Sequence, residues 1–279
     1  MKLIADANVW YNIVNGRIDP KQFAGGGQLL IATPTSLLEI ASGIDSKSFE
    51  ERRRAAQAVI DYASGVVDDT ETHLASIWNV DITLPSANWI EGFRAIAQAT
   101  SASELETGVK DYEAKVIRRV GVSTVSVWRD LHWAGFAREI VQTLHQWIPG
   151  YQAARSRGSF KRMGKTNREP FKAAMRSEEI KTSLLLATYA RTSLKETTTS
   201  EPTKEAIESA RLALRPYLDA YGEYIIRCAI EMAPQANDFG DCESFIYLQS
   251  DAALVISDDR WVKIAGTVCP SQIVVPTIT

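Results

Sequence analysis

The chain has 279 residues, a formal net charge of −3, 45% hydrophobic and 23% charged residues. That balance suits one large globular domain, or a domain with a substantial insertion, and excludes a chain-wide basic field for nucleic acid. Three scattered cysteines, Cys228, Cys242 and Cys269, form no CxxC pair, which argues against structural zinc and a disulfide framework and fits a reducing cytoplasm. The opening residues, one Lys and then Asp6, do not read as a secretory signal, and no apolar run reaches the roughly 18 residues of a membrane span.

In chain order, Lys2 to Ala5 is a short apolar run that stops at Asp6, and Val9, Trp10, Ile13 and Val14 follow at helical spacing up to Gly16. The pattern predicts strand, acidic turn, helix. Gln28 to Ala32 is the next predicted strand, after three glycines, and Thr35 or Ser36 is the expected cap of a helix bearing Leu37, Leu38, Ile40 and Ala41, with Glu39 in its first turn.

From about residue 46 to 233 long helical patterns replace strands. Helices are expected over Phe49 to Ala63, Trp89 to Ala97 capped by Ser86, and Glu104 to Arg119 capped by Ser103. Ser126 to Ile148 is amphipathic, with Trp128, Trp133, Phe136, Ile140, Leu144 and Trp147. A basic stretch from Arg155 to Arg176 contains Arg157, Lys161, Arg162, Lys165 and Arg168, and its Gly158, Gly164 and Pro170 predict a loop in its first part. Ile180 to Thr192 is a predicted helix, and Pro202 opens a long one to Met232, kinked at Pro216. The tail returns to α/β character: Asp238 and Asp241 open a helix, Ala252 to Ile256 reads as a strand, Asp259 to Ala265 as a short helix, and Ile273 to Val275 as a last strand. The expected fold is therefore α/β: a mainly parallel central sheet from both chain ends (residues 1–45 and 234–279), interrupted by an all-helical insertion (46–233) whose last helix has a claim on the core.

Asp6, Glu39, Asp241 and Asp259 then sit at the edges of predicted core elements. A single acid there is ordinarily a cap or a turn residue. Four at one sheet edge, with no Lys or His nearby in sequence, suit a hard divalent cation such as Mg²⁺ or Mn²⁺ held by oxygen ligands. Asn8 and Ser257 are candidates to hold Asp6 and Asp259 or a bound water. Asp238, one turn before Asp241, is an auxiliary ligand or a cap.

The segments Leu3-Ile4-Ala5-Asp6-Ala7-Asn8, Pro34 to Ile40 with Glu39, Asp238-Phe239-Gly240-Asp241, and Leu254 to Trp261 with Ser257 and Asp259 together resemble PIN-domain nucleases. The resemblance covers about the first and last 45 residues. It implies a PIN-type sheet and a metal-dependent ribonuclease, with single-stranded DNA as second substrate. Asp6, Glu39, Asp241 and Asp259 would bind one or two Mg²⁺ or Mn²⁺ ions, and a metal-bound water would attack phosphorus in line. Ala7 stands where many members carry Thr, Asp258 competes with Asp259 as fourth acid (register favours Asp259), and the distance from Glu39 to Asp241 far exceeds the family's. Many PIN nucleases are toxins held by an antitoxin, so a toxin-antitoxin or related stress or defence setting, with a protein partner, is part of what the resemblance implies.

The remaining residues have plainer readings. The basic stretch, with Phe160 and Phe171, would track RNA or form a solvated face. The tryptophans of the amphipathic helix are expected in its core, and His73, His132 and His145 in core or solvent roles. Cys242 is a small core residue, and Glu243 points away from Asp241 around the helix. Two rivals differ in kind: a haloacid-dehalogenase-like phosphatase, which would want an acid where Asn8 stands, and a non-catalytic PIN-like RNA-binding scaffold.

Overall fold

The computed structural model of the chain describes residues 1–42, 47–80, 88–110, 125–151, 163–191, 202–235 and 237–278. The strands are β1 (Lys2–Ala5), β2 (Leu29–Ala32), β3 (Gly65–Val66), β4 (Ala252–Val255) and β5 (Ile273–Val274), and they form one parallel sheet in the order β3-β2-β1-β4-β5. The helices are α1 (Ala7–Val14), α2 (Pro34–Ser42), α3 (Phe49–Tyr62), α4 (Thr70–Trp78), α5 (Trp89–Gln98), α6 (Val125–Trp147), α7 (Lys165–Met175), α8 (Glu178–Arg191), α9 (Lys204–Ala213), α10 (Arg215–Ile230), α11 (Asp238–Glu243) and α12 (Asp259–Val268). The architecture is α/β.

Every residue of β4 and three of four in β1 are buried, as a parallel sheet covered on both faces requires. The pleat sorts their side chains. Leu3, Ala5, Ala253 and Val255 face a core built with Trp10 and Ile13 of α1, Leu37 and Ile40 of α2, Val59 of α3 and Phe93 and Ile96 of α5. Ile4, Ala252, Leu254 and Ile256 face the opposite core, shared with Phe136 and Ile140 of α6, Phe171 of α7, Leu185 of α8, Tyr224 of α10 and Trp261 of α12. The helical block 46–233 therefore divides between the two faces of the sheet and shares both of its cores.

That block also supplies a strand. β3 pairs with β2 through Ile31–Gly65 and Ala32–Val66, so the expectation of an all-helical segment from residue 46 is corrected. Two residues are too few to carry a period-2 pattern, which is why the sequence hides this strand. α4 was likewise not expected, although Asp69 caps it through Thr72 N–H.

Local chemistry explains several element ends. Ser48 caps α3 by accepting from Glu51 N–H, and Thr203 caps α9 by accepting from Ala206 N–H. α5 is capped by Asn88, and the expected cap Ser86 lies outside the described residues. After Ser101 the described chain forms a 3₁₀-helix, Ala102–Val109, and the rest of the helix expected to Arg119 falls outside the described residues. The helix expected across Pro216 is two helices, α9 and α10, which meet at Leu214 with proline in the first turn of the second. Proline lacks the N–H that would continue the ladder but suits a helix start. Pro170 lies inside α7, where a loop was expected.

Candidate metal centre

The strand order puts a switch point beside β1. The chain runs from β1 outward to β2 and β3, then returns on the other side to β4 and β5. Connections diverge there, leaving a crevice beyond the carboxyl ends of β1 and β4, the usual ligand position in open parallel sheets. These strands pair in register up to Ala5 opposite Val255, so Asp6 and Asp258 both follow at this edge.

Asp6 ends β1 and caps α1, its Oδ1 accepting from Val9 N–H at 2.9 Å. It is 8% exposed. Burial pushes its pKa up to about 7, against the hydrogen bond from Val9 N–H; the charge of Asp258 adds to the rise and the N–H of Asn8 opposes it. Asn8 thus serves the site through its backbone.

α2 is fastened to the same edge. Thr33 accepts from Ser36 N–H at 3.0 Å, and Ser36 Oγ donates to the carbonyl of Ala5 at 3.3 Å. Thr33, rather than Thr35 or Ser36, is the residue that caps this helix. Thr35 instead donates to Glu243 at 2.9 Å, which ties α2 to α11, and Glu39 lies one turn further along α2. Glu243, set aside on the sequence because of its angle around the helix, is thus a bridge between the helices carrying Glu39 and Asp241. Its own pKa is raised by burial, against the hydrogen bonds from Thr70 and Thr35.

Asp241 is the centre of the cluster. Its pKa is held well above the carboxylate range by burial first, then by the charges of Glu39, Asp6, Asp238 and Asp258. No hydrogen bond among the described residues offsets these influences. The structure therefore sets Asp6, Glu39 and Asp241 within electrostatic reach of one another.

It departs from the prediction at the fourth acid. Asp258, not Asp259, joins the cluster: it caps α12, accepting from Arg260 N–H at 2.7 Å, and its charge acts on both Asp6 and Asp241. Asp259 is the first helical residue and is exposed. A cap residue folds back toward the helix start, here at the strand edge, whereas its successor turns outward. Ser257 accepts from Asn12 Nδ2 at 3.1 Å and so links α1 to the end of β4 rather than supporting Asp259.

Asp238 is fully buried, and its Oδ2 accepts from Tyr224 Oη at 2.6 Å and Gln235 N–H at 2.9 Å. Burial raises its pKa, against the charge of Arg260 and the Tyr224 hydrogen bond. Arg260 was overlooked in the sequence. A basic residue in the first turn of a helix opposes the macrodipole, and that misfit was the available signal that acids surround it.

No protein-family model, curated protein or solved structure matches the chain. The site is read from its own geometry.

The donor set is all oxygen, as Mg²⁺ or Mn²⁺ prefers. Asp6 and Asp241 line a cavity of about 10 Å³, room for one water-sized species, walled by Ser244, Phe245, Leu254, Ile256 and Trp261. Among the described residues no three His, Cys, Asp or Glu side chains stand close enough to share one ion without adjustment. The oxygen donors are of the type a hard cation takes, but as placed they do not form a complete ligand set, and most of the cavity wall is apolar.

Of the basic residues, Lys165 and Arg168 lie in the first turn of α7, with Lys165 exposed and Arg168 donating to the carbonyl of Met163 at 3.4 Å. Arg157, Lys161 and Arg162 lie outside the described residues, as do the side chains of Trp128, His132 and Trp133. Trp147 is exposed, against the expectation of a core place, and meets Phe171 edge-on. His73 is half-buried and tilted against Tyr247, and burial lowers its pKa. All three cysteines are buried and free. No helix among the described residues is long and apolar enough to cross a membrane.

Proposed function

We propose that the chain is a metal-dependent ribonuclease with a PIN-type catalytic edge, in which the helical block 46–233 is an insertion that shapes substrate access. The observation that carries this reading is Asp241, half-buried at the switch point of a parallel sheet, where four other acids act on it, Arg260 is the nearby cation, and no hydrogen bond among the described residues is made to its carboxylate. Structural acids are normally paired, so charge concentrated this way points to a cation as the missing compensation.

In this reading Asp6 and Asp241, which line the small cavity, would hold Mg²⁺ or Mn²⁺ together with Glu39. A cation bound here supplies charge stabilisation at the scissile phosphate and a nucleophilic water. The protein's part is to bring the acids to one edge, from which they would draw together on a cation. Asp6 is fixed as a helix cap, Glu39 by the Thr35–Glu243 and Ser36–Ala5 ties, and Asp241 by the neighbouring Asp238 anchor. Lys165 and Arg168, with Arg157, Lys161 and Arg162, are the candidate path for the RNA backbone. A toxin role under an antitoxin, in the cytoplasm, is the setting that the motif resemblance suggests.

The test is cleavage of labelled RNA and single-stranded DNA with Mg²⁺ or Mn²⁺, comparing wild type with Asp241→Asn. Cutting that needs the metal and is lost in the variant is the expected result, with RNA the better substrate. Equal cutting by both proteins removes Asp241 from the site. If neither cuts and neither binds Mn²⁺, the domain is a scaffold.

A further inference from the structure

Three segments meet on one carboxylate beside the acid cluster. Glu243 closes α11, two residues after Asp241, and is half-buried. Thr35 Oγ1 donates to its Oε2 at 2.9 Å, and Thr70 donates to it from the first turn of α4. A threonine hydroxyl has a single proton to give. With that of Thr70 committed to Glu243, Tyr247 Oη is the donor in its 3.2 Å contact with Thr70 Oγ1. The order is Tyr247 to Thr70 to Glu243, with Thr35 as the second donor to the same carboxylate.

The sheet explains the convergence. β2 and β3 are adjacent and parallel, and Val67 N–H donates to the carbonyl of Ala32 at 3.0 Å, which carries their pairing to the carboxyl edge. Thr35 follows β2 by three residues and Thr70 follows β3 by four, so both hydroxyls stand at that edge. Thr35 and Glu39 are four residues apart in α2 and share one face of it. A hold on Thr35 is therefore a hold on the face that carries Glu39. Asp69, buried, fixes the start of α4 by accepting from Thr72 N–H and Thr72 Oγ1 at 3.2 and 2.9 Å, so a capped turn presents Thr70.

We propose that Thr70 is a positioning residue for the candidate site: with Thr35 it clamps Glu243, and so sets α2, with Glu39, against α11, with Asp241. The β3–α4 segment of the block 46–233 is then a working part of the site rather than an outlying cover. The inference rests on the nuclease reading above and adds to it a supporting residue that touches neither RNA nor the reacting atoms.

The experiment is steady-state RNA cleavage by the full chain with Mn²⁺, for wild type, Thr70→Val, Thr70→Ser and Thr35→Val, each checked for native near-ultraviolet circular dichroism. Thr70→Val keeps the volume and removes the hydroxyl. It is expected to lower kcat roughly tenfold and leave KM for RNA within about twofold, because a small displacement of a catalytic group costs rate rather than binding. Thr70→Ser restores the hydroxyl and is expected to recover kcat to within about twofold of wild type. Thr35→Val is expected to match Thr70→Val, and the double variant to lose less than the product of the two, since both act through Glu243. A natively folded Thr70→Val with wild-type kcat, or a loss that Thr70→Ser does not recover, overturns the proposal and leaves the nuclease reading standing. Should Thr70→Val not fold, wild-type kcat in Thr35→Val overturns it in the same way. Wild type that does not cut RNA overturns the nuclease reading itself, and this inference with it.

Discussion

Two of the places where charged side chains gather among the described residues are built on opposite rules. Where α8, α9 and α10 meet, Lys181 lies 2.7 Å from Asp219 and 3.3 Å from Glu178, Arg211 contacts Glu178 and Glu208, and Arg215 lies 3.6 Å from Asp219. Three cations meet three acids, and each has its partner in another helix or one turn away. At the carboxyl edge of the sheet, Asp6, Glu39, Asp238 and Asp258 all act on Asp241, and Arg260 lies among Asp238, Asp241 and Asp258. The first arrangement holds helices together. The second holds charge in a state that folding by itself disfavours, and that contrast is what the proposed function draws on.

The largest expected effect breaks the contrast at its centre. Without metal, Asp241→Asn removes a buried charge from among four like charges, so it should stabilise the protein as it abolishes cleavage. The direction follows from burial and the neighbouring acids, which disfavour an ionised Asp241 and leave a neutral Asn unaffected; the readout is a rise in Tm. Saturating Mn²⁺ reverses the order: wild type gains about 2.7 kcal/mol at a metal concentration 100 times Kd, and the variant gains little. Thermal unfolding with chelator and with Mn²⁺ measures both arms. A variant less stable than wild type in chelator would show that Asp241 is held by favourable contacts and that the edge follows the same rule as the helical network.

The pH dependence sharpens the comparison further. Asp6 has a folded-state pKa of about 7 against 3.8 for the ordinary side chain, so the folded chain holds this proton more tightly than the unfolded one. Its contribution to stability is complete below about pH 4 and is lost as pH rises through 7. Metal-free wild type should therefore lose stability from pH 5 to pH 8 relative to Asp6→Asn, which keeps the cap to Val9 N–H. The full shift corresponds to roughly 4 kcal/mol, an upper bound. His73 acts in the opposite sense: its lowered pKa costs stability as pH falls below its unfolded value. The difference between the two proteins, measured by urea unfolding at each pH, cancels that term. Parallel curves would mean that Asp6 is ionised without penalty.

How far the sequence carried this picture depends on the size of each signal. β1, β2 and β4 are apolar runs closed by polar residues, and the acids that follow or flank them, Asp6, Glu39 and Asp241, were legible for that reason. β3 was not, because Gly65–Val66 is too short to show any period. The fourth acid was misplaced by one residue, since the choice between Asp258 and Asp259 depends on which of them caps α12, and both are suitable cap residues. Arg260 and Glu243 escaped because their roles lie in three-dimensional partners. Arg260 meets Asp238 across 22 residues of sequence, and Glu243 meets Thr35 across 208. Spacing along one helix says nothing about such contacts. The division of the helical block between the two faces of the sheet was equally hidden, because each amphipathic helix shows that it buries a stripe without showing which layer receives it.

The smallest expected effects come from the paired region, and their small size is what the comparison requires. Lys181 is 11% exposed in its side chain and contacts two acids, Asp219 and Glu178, so Lys181→Met leaves a partly buried carboxylate without its partner. The expected loss is about 1–2 kcal/mol, below the 3–5 of a fully buried pair because Asp219 remains 21% exposed and keeps Arg215 nearby. Arg215 is 67% exposed at 3.6 Å from the same carboxylate, and Arg215→Ala should cost less than about 0.5 kcal/mol. Neither change should alter Mn²⁺ binding or RNA cleavage. Urea unfolding gives the two stability losses, and their ratio is informative: comparable losses would mean that the network carries its energy at the surface, whereas a dominant Lys181 places it where α8 and α10 exclude water.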